Sequence, residues 1–422
     1  MKARIALALA ASLGLAACQG DGPLPTGSSP MSAASIQDDL FTLAPDAALN
    51  SAQRNLLATI RGRQSTGEVN LARLSGQAAR MLRHGRAVRF LVAPGRPVVA
   101  VGDRVEQGGP GDVFWSGGVP GGNGSVSLVM SDAGVTASIH GDGTLYHVEP
   151  LGNGLHAISR VDVANLPPDH PADADPAGAE MFAGPRLPES PFQADGPFQA
   201  SLAASTQTVL VVYTAAAAAA SGNIGNLINL AVAETNTGYL NSLVGINSLL
   251  VHTAQVTYNE ANRSFSQHTT ALRSSTDGIM DNVHTLRNTY AADVVVLVVN
   301  DSEACGQAAA IQATATTAFA VAHYSCITGY YSFAHEIGHL QGARHDRAVD
   351  STLSYAHGYV DPNGQWRTIM AYGNACNNCT RVNYWSNPNV IYPPTGQPMG
   401  TTLYENNARM LNTTAATVAA FR

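Results

Sequence analysis

The sequence predicts an α/β (α+β) domain with a twisted, mostly parallel sheet from about residue 208 onward, preceded by a β-rich unit. Three observations carry this. Strand and helix patterns alternate from Val209 to Val299, and short strand patterns split by Asp-Gly and Asn-Gly turns run from Ser125 to Val163. A Pro-, Asp- and Gly-rich stretch over 166–207 separates the two. At 422 residues the chain is too long for one ordinary core and suggests two or three units.

Taken in order, the pattern from about Asp39 to His84 reads as helical, followed by strands at Ala87–Val92 and Val98–Val101. The alternating run from Ser125 to Val163 reads as an antiparallel β unit, and it contains no catalytic constellation. After the linker, Val209–Tyr213 reads as a buried strand, the alanine run Ala215–Ala220 and Asn223–Leu243 as helices, and Leu249–Val256 as a strand. Residues 268–290 read as helix, and Val294–Val299, six apolar residues in succession, as a strand covered on both faces. Ala318–His323 is a shorter strand candidate. Such alternation implies parallel strands joined by crossover helices.

Hydrophobic residues make up 45% of the chain and charged ones 13%, which excludes extensive disorder. A net charge of -7 offers no basic patch, so nucleic acid is not an expected partner.

The N-terminus reads as an export signal. Met1-Lys2-Ala3-Arg4 is a basic start, Ile5–Ala11 is apolar but too short to span a bilayer, and Leu15-Ala16-Ala17-Cys18 ends in small residues and a cysteine. This resembles the bacterial lipoprotein signal, with residues 1–18 as signal peptide and Cys18 lipidated; Gln19 is compatible with sorting to the outer membrane. An ordinary secretory signal containing a cysteine is the simpler alternative. Residues 19–38, rich in Gly, Pro and Ser at their start, suit a flexible tether. Export implies an oxidising compartment, in which Cys305, Cys326, Cys376 and Cys379 can pair. Of three possible pairings, Cys305–Cys326 with Cys376–Cys379 closes the most local loops, while Cys376-x-x-Cys379 also admits a structural zinc or a redox pair.

The segment His335-Glu336-Ile337-Gly338-His339-Leu340-Gln341-Gly342-Ala343-Arg344-His345-Asp346 carries the chemistry. On a helix, His335 and His339 at i and i+4 share a face and can converge on one ion. Glu336 lies beside that ion, placed to take a proton from water and pass it to a leaving amine. Gly342 permits the turn that returns the chain, so that His345 becomes the third ligand. Three neutral nitrogens leave one tetrahedral position open, the arrangement of a single catalytic Zn2+. His323 and His357 are expected to pack or to orient other groups rather than to bind metal.

This motif, followed by Thr368-Ile369-Met370-Ala371-Tyr372, resembles the metzincin clan of zinc proteases, with Met370 in a turn beneath the metal. Asp346 is similar to the reprolysin branch. Cys376-Asn377-Asn378-Cys379-Thr380-Arg381-Val382-Asn383-Tyr384-Trp385-Ser386-Asn387-Pro388, with Pro398–Thr401 and Asn406–Arg422, is similar to the bacterial peptidyl-Asp metalloendopeptidases. The resemblance covers about Thr208 to the C-terminus. It implies a zincin-like catalytic domain over 208–422 with an active-site helix, and endopeptidase action on proteins or peptides before Asp. It allows Tyr372 either a catalytic role near the zinc or a core position.

The β unit is similar to the propeptides of such enzymes, implying a propeptide over 39–165 and a linker with the maturation site over 166–207. No cysteine follows Cys18 before residue 208, so a cysteine lock on the zinc is excluded, whereas a propeptide Asp or His can take its place. A substrate Asp needs a basic partner, for which Arg344 and Arg381 are candidates. With that specificity, Ala194-Asp195-Gly196 is a natural self-cleavage site. The expected setting is an outer-membrane lipoprotein precursor releasing an extracellular or periplasmic enzyme. Other readings of the motif are a zinc hydrolase of cell-wall peptides and a surface-binding lipoprotein on a protease scaffold; the intact Glu336 argues against the latter.

Overall fold

The computed structural model describes residues 39–108, 112–171 and 205–422. The signal with Cys18, the tether and Asp195 lie outside the described residues.

The N-terminal part comprises β1 (Phe41–Leu43), α1 (Ser51–Gly62), β2 (Thr66–Leu74), α2 (Ala78–Met81), β3 (Ala87–Ala93), β4 (Arg96–Gln107), β5 (Val113–Gly118), β6 (Ser125–Ser131), β7 (Gly134–Gly141), β8 (Thr144–Gly152) and β9 (Leu155–Val161). Among the described residues these strands form a nine-stranded antiparallel sheet in the order β1-β2-β9-β8-β7-β6-β5-β4-β3. Asp142-Gly143 and Asn153-Gly154 join successive strands with all four residues at positive φ, as the tight hairpin turns of twisted sheets require.

The helical expectation for residues 39–84 is corrected. Helices occupy only Ser51–Gly62 and Ala78–Met81, and Thr66–Leu74 is a strand between β1 and β9. Pairing on both edges outweighs the segment's weak local preference.

The C-terminal part comprises β10 (Ser205–Tyr213), α3 (Ala215–Ala220), α4 (Ile224–Asn241), β11 (Ile246–Gln255), α5 (Phe265–Arg273), α6 (Asn282–Thr289), β12 (Val294–Val299), β13 (Gly306–Ala308), β14 (Phe319–His323), α7 (Ser332–Leu340), β15 (Trp366–Arg367), β16 (Thr380–Arg381), β17 (Asn387–Tyr392), β18 (Gln397–Met399) and α8 (Asn407–Val418). The main sheet runs β11-β10-β12-β14-β13, parallel except for β13 at its edge. Central β12 is apolar throughout because both faces are covered. Val294, Val296 and Val298 pack with Ile228, Phe333 and Ile337, while Val295, Leu297 and Val299 pack with Phe265, Leu272 and Val283. The single helix expected over 268–290 is two helices, broken where Gly278 and Met280 take positive φ.

The large sheet lies against the C-terminal part. Leu230 of α4 packs with Phe114 and Val129. Arg63 forms a two-pronged pair with Glu149 at 2.6 and 2.8 Å and donates to the Ala220 carbonyl at 2.6 Å.

Candidate active site

Helix α7 carries His335, Glu336 and His339, all buried. It ends at Leu340, and just beyond it Gly342, with a φ of 99°, lets the Ala343 N–H close on the Gly338 carbonyl at 2.9 Å, so that the reversed chain delivers His345. His335 Nδ1 is 2.9 Å from the Ile369 carbonyl and His339 Nδ1 is 2.9 Å from the Ala343 carbonyl. A proton on each Nδ1 satisfies those carbonyls and turns the Nε2 lone pairs toward a common centre.

His335, His339 and His345 are joined there by His170, each offering one ligand atom within 4.8 Å of the others. The donor set fits a metal ion. His339 Nε2 and His345 Nε2 face each other at 2.9 Å, His335 Nε2 is buried without a hydrogen-bond partner, and burial holds all three imidazoles of the motif well below their ordinary pKa, hence neutral. Clustered neutral nitrogen lone pairs in a dry site are what a divalent cation satisfies.

Both Glu336 carboxylate oxygens are buried and lack hydrogen-bond partners. Burial pushes this carboxyl above its usual pKa, against the pull of His170, whose Nε2 lies 3.5 Å from Oε1. Gly306 on β13 makes room for it: a Cβ there would sit 2.3 Å from Glu336 Oε1.

Met370 is fully buried beneath α7, with its Sδ and Trp385 closing on Gly338 between the two helical histidines. Asp346 ties the third histidine's loop to this turn by accepting the Tyr372 N–H at 2.9 Å. His357 sits between the His345 carbonyl, 2.7 Å from Nδ1, and the Thr352 carbonyl, 2.8 Å from Nε2, so it positions the loop. His323 meets Ser325 Oγ at 2.8 Å. The structure brings Tyr372 into the cluster, its ring 4.4 Å from that of His345 and its Oη 2.5 Å from His170 Nδ1.

His170 was not singled out by its spacing, which is remote from every motif; its only signal is the Pro167-Pro168-Asp169-His170 run. Residues 166–171, at the start of the expected linker, run past the histidine cluster. The Cys305 and Gly306 N–H groups donate to the Pro168 and Asp169 carbonyls at 2.7 and 3.2 Å. Asp169 pairs with Arg381 at 2.7 Å. Arg344, the other candidate basic residue, pairs with Asp350 at 2.9 Å. Cys305–Cys326 and Cys376–Cys379 are disulfides, with Cα separations of 5.5 and 5.4 Å, and the first holds the chain at the head of β13.

A family model described as metallo-peptidase family M12, of reprolysin type, matches residues 203–386. The peptidyl-Asp metalloendopeptidase of Stenotrophomonas maltophilia (strain K279a) is 48% identical over 306 residues, which cover 71% of this chain and 70% of that one. The protein of the same name from Xanthomonas campestris pv. campestris is 46% identical over 307 residues, again 71% and 70% of the two chains. That of Pseudomonas fragi is 41% identical over 193 residues, 45% of this chain and 100% of the other. Buried histidines arranged to hold a metal, a carboxylate beside them and this extent of identity lead to one conclusion: the chain belongs to the peptidyl-Asp metalloendopeptidase family of M12 metallopeptidases and is a metalloendopeptidase.

Proposed function

We propose that the chain is the precursor of an exported zinc endopeptidase that cuts on the N-terminal side of Asp. In it His335, His339 and His345 hold the ion, Glu336 moves the protons, and His170 keeps the precursor latent. The observation that carries this reading is the meeting of three imidazoles and a buried carboxylate beside edge strand β13. The relatives' names supply the preference for Asp.

His335, His339 and His345 would hold a zinc ion, which when bound would supply Lewis acidity at the scissile peptide bond. Glu336 takes the proton of the attacking water and returns it to the leaving nitrogen. Tyr372 Oη, once freed from His170, donates to the oxygen on which charge develops. The N–H groups of Cys305 and Gly306, which in the precursor serve Pro168 and Asp169, bind the substrate main chain as an added strand. Met370 supports the helix from below.

The imidazole of His170 fills the space that water and carbonyl need, and its contact with Glu336 engages the base as well. Residues 39–165 with this segment therefore act as the propeptide, and 208–422 as the catalytic domain. The N-terminal signal directs export, with lipid on Cys18 anchoring the precursor to the outer membrane. Cleavage before Asp195 frees the enzyme from that anchor into the periplasm or medium.

Mapping the cleavage sites of the mature protein on a denatured protein mixture, with and without a chelator, tests the reading. Chelator-sensitive cuts concentrated before Asp are expected, and cuts indifferent to chelator or scattered over all residues would overturn it.

A further inference from the structure

We infer that Arg381 is the residue that reads an aspartate side chain beside the metal site, and that Asp169 fills its pocket in the precursor as a resident stand-in for substrate. The inference rests on the endopeptidase reading above and specifies its recognition element.

Arg381 is buried on β16, and its guanidinium lies 4.3 Å from the centre of the Tyr330 ring. Nη1 donates to the Tyr330 carbonyl at 3.0 Å, and Nη2 to the Ala371 carbonyl at 3.2 Å and to Asp169 Oδ1 at 2.7 Å. Its Nε is buried without a partner. The second carboxylate oxygen of Asp169 receives the Tyr330 hydroxyl at 3.4 Å. Arg367 prepares that hydroxyl by donating to Tyr330 Oη at 3.1 Å, leaving its proton free for a carboxylate. Arg367 itself is held by the Ala371 and Cys379 carbonyls at 3.0 and 2.5 Å.

Among the described residues, Asp169 is the ion-pair partner of Arg381, and it comes from outside residues 205–422. When the propeptide leaves, the catalytic domain keeps this guanidinium, fixed by the Tyr330 and Ala371 carbonyls, without its carboxylate. A guanidinium already held in place by two carbonyls and over the Tyr330 ring favours an anionic side chain there. The place is also right. Asp169 immediately precedes His170, whose ring meets the three histidines, and adjacent Cα atoms are about 3.8 Å apart. The pocket therefore lies one residue from the metal site, where a residue flanking the scissile bond belongs. Carbonyls of Pro168 and Asp169 are bonded at the head of β13, so main chain and side chain are held as a bound peptide would be. Arg344 is spoken for by Asp350 and by Thr352 Oγ1 at 2.7 Å.

The test uses paired peptides differing only in Asp or Asn after the scissile bond. Mature wild-type enzyme should favour Asp by about 100-fold in kcat/KM, and Arg381→Gln should bring the ratio within about fivefold by losing the Asp peptide alone. A preserved ratio in a folded R381Q protein overturns the assignment to Arg381. A wild-type enzyme indifferent to Asp overturns the specificity reading itself. A second arm leaves every residue of the mature enzyme intact: Asp169→Asn in the full precursor, read by amide hydrogen exchange without added metal. Exchange at Cys305 and Gly306 should quicken about tenfold or more. Unchanged exchange overturns the role of Asp169, whether or not R381Q folds.

Discussion

His170 Nδ1 lies 2.5 Å from Tyr372 Oη across 202 residues of sequence, and the His170 ring stands 4.8 to 5.2 Å from the rings of His335, His339 and His345. On its other side, His170 Nε2 lies 3.5 Å from Glu336 Oε1. One side chain thus engages the metal-binding nitrogens, the base and the tyrosine together.

Replacing His170 by Ala in a precursor that also carries Asp195→Ala should release activity without chain cleavage. A tethered blocking group acts at high effective concentration, so a rise of about tenfold or more in peptide hydrolysis is expected. The same variant should bind zinc more weakly than the wild-type precursor in chelator competition. Equal activity and equal affinity would remove the latency role.

Tyr372→Phe keeps the ring and deletes the hydroxyl. For a donor to the developing oxyanion, kcat in the mature enzyme should fall about 100-fold with KM little changed. An unaltered kcat would reduce the ring to packing against His345.

Glu336→Ala should retain zinc by metal analysis yet lose about 10²–10⁴-fold in kcat. His345→Ala should lose both the metal and the activity. Undiminished turnover by the Glu336 variant would refute its role as the proton carrier.

Retention of the N-terminal sheet after cleavage should depend on pH in both directions. Burial holds His140, whose Nε2 meets the Gly329 carbonyl at 3.0 Å, and His147 down to about 4 from 6.5, with Arg63 and Glu149 flanking His147. Their contribution is complete above 6.5 and is lost as pH falls toward 4. Glu234 of α4, facing Ser138 of β7 and accepting the Gly329 N–H at 2.9 Å, is pushed up to about 8 by burial. Its contribution is complete below 4.5 and is lost as pH rises through 8. Retention should therefore fall both as pH drops toward 4 and as it rises toward 8. Size-exclusion chromatography of the cleaved complex across this range checks it, and Glu234→Gln should lessen the alkaline loss.

The histidine motif was legible because its geometry is local. Residues four apart on one helical turn meet whatever the rest of the chain does, and Gly342 announces the turn that returns His345. The parallel core was legible for a similar reason, since Val294–Val299 is apolar at every position only if both faces are covered. Local preference misled where partners decide: Thr66–Leu74 is a strand because β1 and β9 flank it, and 268–290 breaks at Gly278 despite helical spacing on either side.

Taken alone, the amino-acid order therefore specified the three histidines and the glutamate between them, since each lies within six residues of the next, and the resemblance to a known clan marked the methionine turn 25 residues further on. Only the tertiary structure decided that His170 caps this centre, that Asp169 rather than a surface solvent shell neutralises Arg381, and that Arg344 is already paired with Asp350. Such pairings depend on which buried charges find a counter-ion and which lone pairs meet. No local spacing encodes that for groups 212 residues apart.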